Sequence, residues 1–238
     1  MRSRWSPPRP DLVLRLAVRT FSEVCLTVGT LIVLFVVYVL LWTGVKADRA
    51  MDEERARLRE HWAAAAPAGA PDPRPSAPAP QRATPAPEPP PYPAGRAFAE
   101  MYVPRFGADW SKPVLEGTGT DLLKKGLGHY PGSARPGGEG NFAVAGHRRT
   151  YGDPFKDVPE LRPGDAVIVR VAGTSYTYTV RAAPLRTLPT ETGVVDPVPK
   201  RSPFTTPGRY LTLTTCEPEW GHSHRLIVWA ELTDTRPV

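Results

Sequence analysis

Nineteen consecutive residues without a charge, Val24 to Trp42, partition this chain before any fold can be chosen for it. As a helix rising about 1.5 Å per residue, the run is about 29 Å long, the thickness of a bilayer's hydrocarbon core. Tyr38 and Trp42 suit its interfacial end. Residues 1–23 carry Arg2, Arg4, Arg9, Arg15 and Arg19 against Asp11 and Glu23. That excess predicts a cytoplasmic N-terminus and places the bulk of the chain outside the cell. A cleaved signal peptide is the rival reading. Its apolar region runs to about 7–15 residues and ends in a small-x-small site. Here the run is longer and ends Leu-Leu-Trp-Thr-Gly-Val-Lys, so 24–42 is read as an uncleaved anchor.

Proline divides the remainder. Twelve of the 30 prolines lie between Ala63 and Gly95, so residues 63–95 are not folded core; they read as an extended, disordered linker. At about 3.1 Å per residue it could hold a domain up to roughly 100 Å from the membrane. Residues 43–62 are charged and rich in good helix formers, a juxtamembrane helix with a solvated face of mixed sign. Residues 96–238 then form the folded domain. The net charge of +6 is spread without any Lys/Arg run or aromatic-interleaved basic stretch, so no nucleic-acid partner is expected.

The 96–238 pattern is mainly β. Strands are expected over 97–106, 114–117, 141–146, 165–171, 175–182, 210–215 and 226–232, with a short helix over 121–126 ending at glycine. Ala172-Gly173-Thr174 between two of these runs is a hairpin signature. Several short strands separated by turn signals predict an all-β fold, a closed or nearly closed antiparallel barrel.

Cys216 is the only cysteine outside the apolar run, where Cys25 lies, so the two should not pair. A lone thiol on the oxidising side of a membrane is a liability unless its reactivity is used. Leu211 and Leu213 share one parity and should face the core; Cys216, with Thr212 and Thr214, should face a groove. Arg225 opens the next β run nine residues on. If the two runs are antiparallel neighbours, Cys216 and Arg225 meet. A guanidinium there favours a thiolate and can hold an oxyanion. The nucleophile needs a proton carrier, and His147, after the apolar run Phe142 to Gly146, is the best mounted of five histidines. A structural histidine is the competing account. Cys216, His222 and His224 lack the spacing of a strong metal site, so no metal is expected.

Thr212-Leu213-Thr214-Thr215-Cys216 resembles the T-L-x-T-C signature of sortases, the cysteine transpeptidases of Gram-positive envelopes. Arg225-Leu-Ile-Val-Trp resembles the segment carrying the family's arginine, and Ala145-Gly146-His147 its A-G-H histidine. The likeness covers about residues 96–238. The proline-rich stalk and the runs Met101 to Gly107 and Leu122 to Tyr130 look most like class E sortases of actinobacteria. The resemblance implies an eight-stranded sortase-type β-barrel with catalytic residues His147, Cys216 and Arg225 and no cofactor. It implies cleavage between Thr and Gly of a Leu-Ala-x-Thr-Gly-like C-terminal sorting signal on secreted proteins, and transfer to a peptidoglycan-precursor amine.

By the same resemblance, Tyr130 lines the pocket for the signal's second residue. Ala145, Thr214 and Thr215, from the motifs beside it, are expected substrate contacts. Leu188 to Asp196 resembles the loop over the groove, with Thr192, Val194 and Val195 as contacts. Only Glu139 is acidic within 131–140, so no calcium requirement is expected. A pilin-polymerising sortase is the nearest alternative, although no lid segment is evident. A non-enzymatic membrane-tethered binding module is the alternative of another class. An L,D-transpeptidase would need an S-x-G-C motif, which Thr214-Thr215-Cys216 does not provide.

Overall fold

A computed structural model describes residues 10–65 and 90–238. Most of the proline-rich segment, 66–89, lies outside the described residues, and so does the extended linker expected there. The chain divides into two compact units, Met1–Gly44 and Val45–Val238. The described part of the first is helical and belongs to α1 (Pro10–Ala65). Leu26, Leu31 and Phe35 are among its many exposed apolar side chains. The helix is long and apolar enough to cross a membrane, and outward apolar side chains are what a lipid-facing helix requires.

Among its described residues, the second unit contains the end of α1, from Val45, and nine strands. The first four are β1 (Ala97–Tyr102), β2 (Ser111–Glu116), β3 (Leu127–His129) and β4 (Gly140–Ala145). A hairpin, β5 (Ala166–Val171) and β6 (Thr174–Val180), follows. It turns at Gly173, whose φ of 80° is open to glycine at little cost. The short β7 (Leu185–Thr187) and the long pair β8 (Arg209–Glu217) and β9 (His224–Pro237) complete the set. Between β2 and β3 stands α2 (Thr120–Leu123).

Eight of these strands close on themselves in the order β6-β5-β1-β2-β3-β4-β8-β9, with β9 returning to β6 and β7 flanking β9. The barrel is filled by alternating inward residues such as Met101, Phe142, Val144, Leu211, Leu213 and Val228, all essentially inaccessible to water. Closure leaves β7 as the short flank and removes the long unpaired edges that strands of this composition would expose.

Two features depart from expectation. The barrel is not wholly antiparallel, since β2 pairs with β3 and β4 with β8 in parallel. The juxtamembrane helix, besides its solvated face, has a second face the sequence expectation did not include, since Ala47, Met51 and Leu58 are buried in the second unit. Their spacing places them on one helical stripe. The charges between them hide that stripe in the sequence.

Candidate active site

The parallel pairing of β4 with β8 brings the two ends that matter together. Ala143 stands opposite Thr212 and Ala145 opposite Thr214. The match continues past the strand, where the Gly146 N–H donates to the Thr214 carbonyl at 3.1 Å. β8 and β9 are antiparallel neighbours in which Thr212 faces Trp229, Thr214 faces Ile227 and Cys216 faces Arg225. Paired residues share a face and every second residue returns to it. The β4–β8 ladder ends at Gly146: its carbonyl takes the Thr215 hydroxyl, and His147 is the next residue along, two beyond Ala145. His147, Cys216 and Arg225 thus come from three adjacent strand ends at one end of the barrel, with Cys216 and Arg225 on its outer face.

Burial differs among the three. Cys216 is partly exposed and free, although Thr212 and Thr214 before it are buried. The outer face of β8 is thus roofed over most of its length and opens only at the thiol. Burial pulls the His147 pKa below the ordinary imidazole range, and the charge of Lys124 adds to this. Its Nε2 is buried without a hydrogen-bond partner among the described residues. Its ring lies 5.1 Å from that of Tyr151. Arg225 donates Nη1 to the carbonyls of His222 and His224, at 3.1 and 3.0 Å, which ties the β8–β9 loop to the strand.

Glycine at position 146 is required by packing. A Cβ there would lie 2.5 Å from Phe155 Cδ2 and 2.9 Å from Leu127 Cδ2. Thr215, on the opposite parity to Cys216, donates its hydroxyl to the Gly146 carbonyl at 2.8 Å. The sequence reading gave Thr215 a substrate contact. The two-residue period turns it away from the groove, where it fastens the histidine strand instead.

The groove residues sort as follows. Tyr130 lies on the same outer face, two residues beyond Gly128, which pairs with Ala145. Its hydroxyl is 3.0 Å from Thr214 Oγ1, passing over a β4 whose outward side chains, Ala143 and Ala145, are small enough to allow it. Thr192 and Val195 lie on a 3-10 turn, Thr192–Val195, with Thr192 exposed and Val195 half-buried. Val194 between them packs with Ile227 and Trp229, and its carbonyl accepts from Trp229 Nε1 at 3.1 Å. Val194 therefore anchors the loop and does not present its side chain to a ligand. A cavity of about 880 Å³ has Tyr130, Asn141 and Val195 in its wall, while His147, Cys216 and Arg225 lie outside it.

Sequence reasoning missed the residues that hold the loops after His147 and Cys216 together. Arg148 Nη1 donates to Glu217 Oε2 at 2.9 Å. Arg149 Nε is 2.5 Å from Glu219, and its guanidinium lies 5.0 Å from the Trp220 ring centre. Two neighbours of His147 thus grip two near neighbours of Cys216. The adjacent arginines after the A-G-H run were the available signal. His129 proves structural. It is buried, with Nδ1 2.5 Å from Glu116 Oε2 and Nε2 2.8 Å from Ser133 Oγ.

A closed barrel brings a thiol, an imidazole and a guanidinium to three neighbouring strand ends, the groups that a cysteine nucleophile uses. The family model described as Sortase domain matches residues 101–233, and the chain belongs to the sortase family. Sortase SrtE1 of Streptomyces coelicolor is 34% identical over 93% of this chain, which spans 58% of that relative's length. Sortase SrtE2 of the same organism is 31% identical over 97% of this chain and 87% of its own. Among solved structures, sortase E from Streptomyces avermitilis matches with 61% identity and a TM-score of 0.59. It covers 62% of this chain and 94% of its own. Sortase E1 from Streptomyces coelicolor with a tripeptide in its active site matches with 39% identity and a TM-score of 0.56, covering 60% and 91%.

Proposed function

We propose that the protein is a membrane-anchored cysteine transpeptidase that joins secreted proteins to the cell wall through a Leu-Ala-x-Thr-Gly-like sorting signal. The observation that carries this reading is the convergence at one end of the barrel of the β4, β8 and β9 ends that bear His147, Cys216 and Arg225, with Cys216 paired to Arg225. The likeness to sortases E supports the class and, with it, alanine at the signal's second position.

Burial keeps His147 largely uncharged at neutral pH, so it can accept the Cys216 proton as the sulfur attacks the threonine carbonyl. Arg225, the cation beside the thiol, stabilises the negative charge that develops on the carbonyl oxygen. The carbon–nitrogen bond to glycine then breaks. His147 gives its proton to the departing amine, and a thioester remains on Cys216. An amine of a peptidoglycan precursor attacks the thioester, loses a proton to His147 and displaces the sulfur. Tyr130, held by Thr214, narrows the pocket for the second residue of the signal. Thr192 and Val195 contact the peptide from above. Residues 24–42 span the membrane with the N-terminus in the cytoplasm, and the barrel works outside.

The test uses the full chain in detergent micelles with peptides carrying Leu-Ala-x-Thr-Gly or Leu-Pro-x-Thr-Gly, followed by mass spectrometry. A peptidyl adduct on Cys216, cleavage between Thr and Gly and transfer to an added amine are expected, with the alanine peptide preferred. Absence of the adduct, or cleavage that persists in Cys216→Ala, overturns the reading.

A further inference from the structure

The last turns of α1 reach the loop that carries His147. Glu100 on β1 is only 1% exposed. It accepts Arg55 Nε at 3.0 Å and Arg59 Nη2 at 2.8 Å, both from the helix. Burial pushes its carboxyl up, yet the hydrogen bonds of Tyr102 and Arg59 and the charges of Arg59 and Arg55 outweigh this and hold it below the ordinary range. A buried carboxylate is tolerated only with its counter-charges in place. The two arginines therefore fix both the height and the rotation of the helix on the barrel. Lys112 of β2 adds a contact to Asp48 at 3.5 Å.

With the helix so placed, Asp48 and Met51 press on Gly152. A Cβ at 152 would stand 2.6 Å from Asp48 Oδ1 and 3.2 Å from Met51 Cε, and Met51 is itself 1% exposed. Gly152 is the middle of three successive left-handed residues, with φ of 55° at Tyr151, 78° at Gly152 and 48° at Asp153. Tyrosine and aspartate hold that conformation only where their surroundings impose it. Tyr151 in turn lies between the ring of His147, 5.1 Å away, and Lys124 Nζ, 5.5 Å from its centroid.

We propose that residues 45–62 are a positioning element of the catalytic unit rather than a spacer. Asp48 and Met51 clamp the Tyr151–Asp153 turn, and through Tyr151 they hold the His147 imidazole in its buried pose. The catalytic part of this proposal rests on His147 being the proton carrier. The groups that share its surroundings are Lys124 at the C-terminal cap of α2, Tyr151 from its own loop, Cys216 from β8 and Arg225 from β9.

The test compares the full chain in detergent micelles with Asp48→Ala, with Asp48→Ala/Met51→Ala, and with the conservative pair Asp48→Asn/Met51→Leu. One readout needs no turnover, the titration of the His147 imidazole by NMR, assigned by its loss in His147→Asn. Releasing the clamp admits water, so the midpoint should rise toward the ordinary imidazole value in the alanine variants and stay near the parent's in the conservative pair. The second readout is peptide transfer. In the double alanine variant kcat should fall about tenfold with KM within about twofold, inside the ~100-fold that a 1 Å misplacement can cause. Asp48 is largely exposed, so the single variant keeps the fold and carries the titration test alone if the double variant unfolds. A His147 titration in the alanine variants that superimposes on the parent's overturns the proposal. A shifted titration in a protein that transfers no peptide would leave the clamp standing and remove the transpeptidase reading.

Discussion

Replacing Gly146 with alanine tests whether the histidine strand is seated as tightly as its surroundings imply. The added methyl would meet Phe155 Cδ2 at 2.5 Å, and both Leu127 Cδ2 and Phe155 Cε2 at 2.9 Å. Ordinary contact begins near 3.4 Å, so something must yield by about 0.9 Å. Phe155 is fully buried in the barrel core and is not the free end of a flexible chain. Overpacking of this kind costs about 1–3 kcal/mol. At about 2–4 °C per kcal/mol for a protein of this size, the melting temperature should fall by about 2–12 °C. If the strand end moves instead of the ring, His147 is displaced by nearly 1 Å from the thiol, and activity should fall by about 10²-fold. Phe155→Leu removes the obstructing ring edge, so the double variant should recover much of both losses, a coupling readable by a double-mutant cycle. Thermal unfolding and single-turnover formation of the thioester give the two numbers. A Gly146→Ala protein with the parent's melting temperature and acylation rate would refute the reasoning.

Thr215→Val leaves the Gly146 carbonyl without its donor inside the barrel wall. It should lower stability by about 1–3 kcal/mol, while Thr215→Ser should remain near the parent in urea unfolding; equal losses in both would rule the bond out. Glu100 gives a pH signature. Its folded pKa lies below the reference value of 4.5, so its stabilisation is full above that value and is lost as pH falls through the depressed one. The stability gap between parent and Glu100→Gln should therefore be widest near neutrality and shrink in acid. A gap that stays constant with pH would contradict the ion-pair account of the docked helix.

The sequence was legible where one local signal was enough. Alternation along Leu211, Leu213 and Cys216 put the thiol on the right face, and the length of the 217–224 loop made its pairing with Arg225 readable. Strands β3 and β7 were missed because each is three residues long and has no period to detect. The parallel partnership of β4 with β8 joins segments some seventy residues apart, and no local pattern encodes such a contact. Thr215 was misassigned by reading the motif as one block instead of two faces. Glu100 and its arginines were invisible because a charged residue in a strand looks solvated until the element that covers it is known.

The parallel pairing of β4 and β8 also means that no partly correct site exists. A slip of one residue between the two strands would turn every side chain of one of them to the opposite face, sending either the imidazole or the sulfur into the barrel. Such a slip would also turn Phe142 and Val144, or Leu211 and Leu213, out of the core, so the misaligned chain would form no thioester. Specific activity per molecule, in a refolded sample, would then count the fraction of chains that found the native alignment.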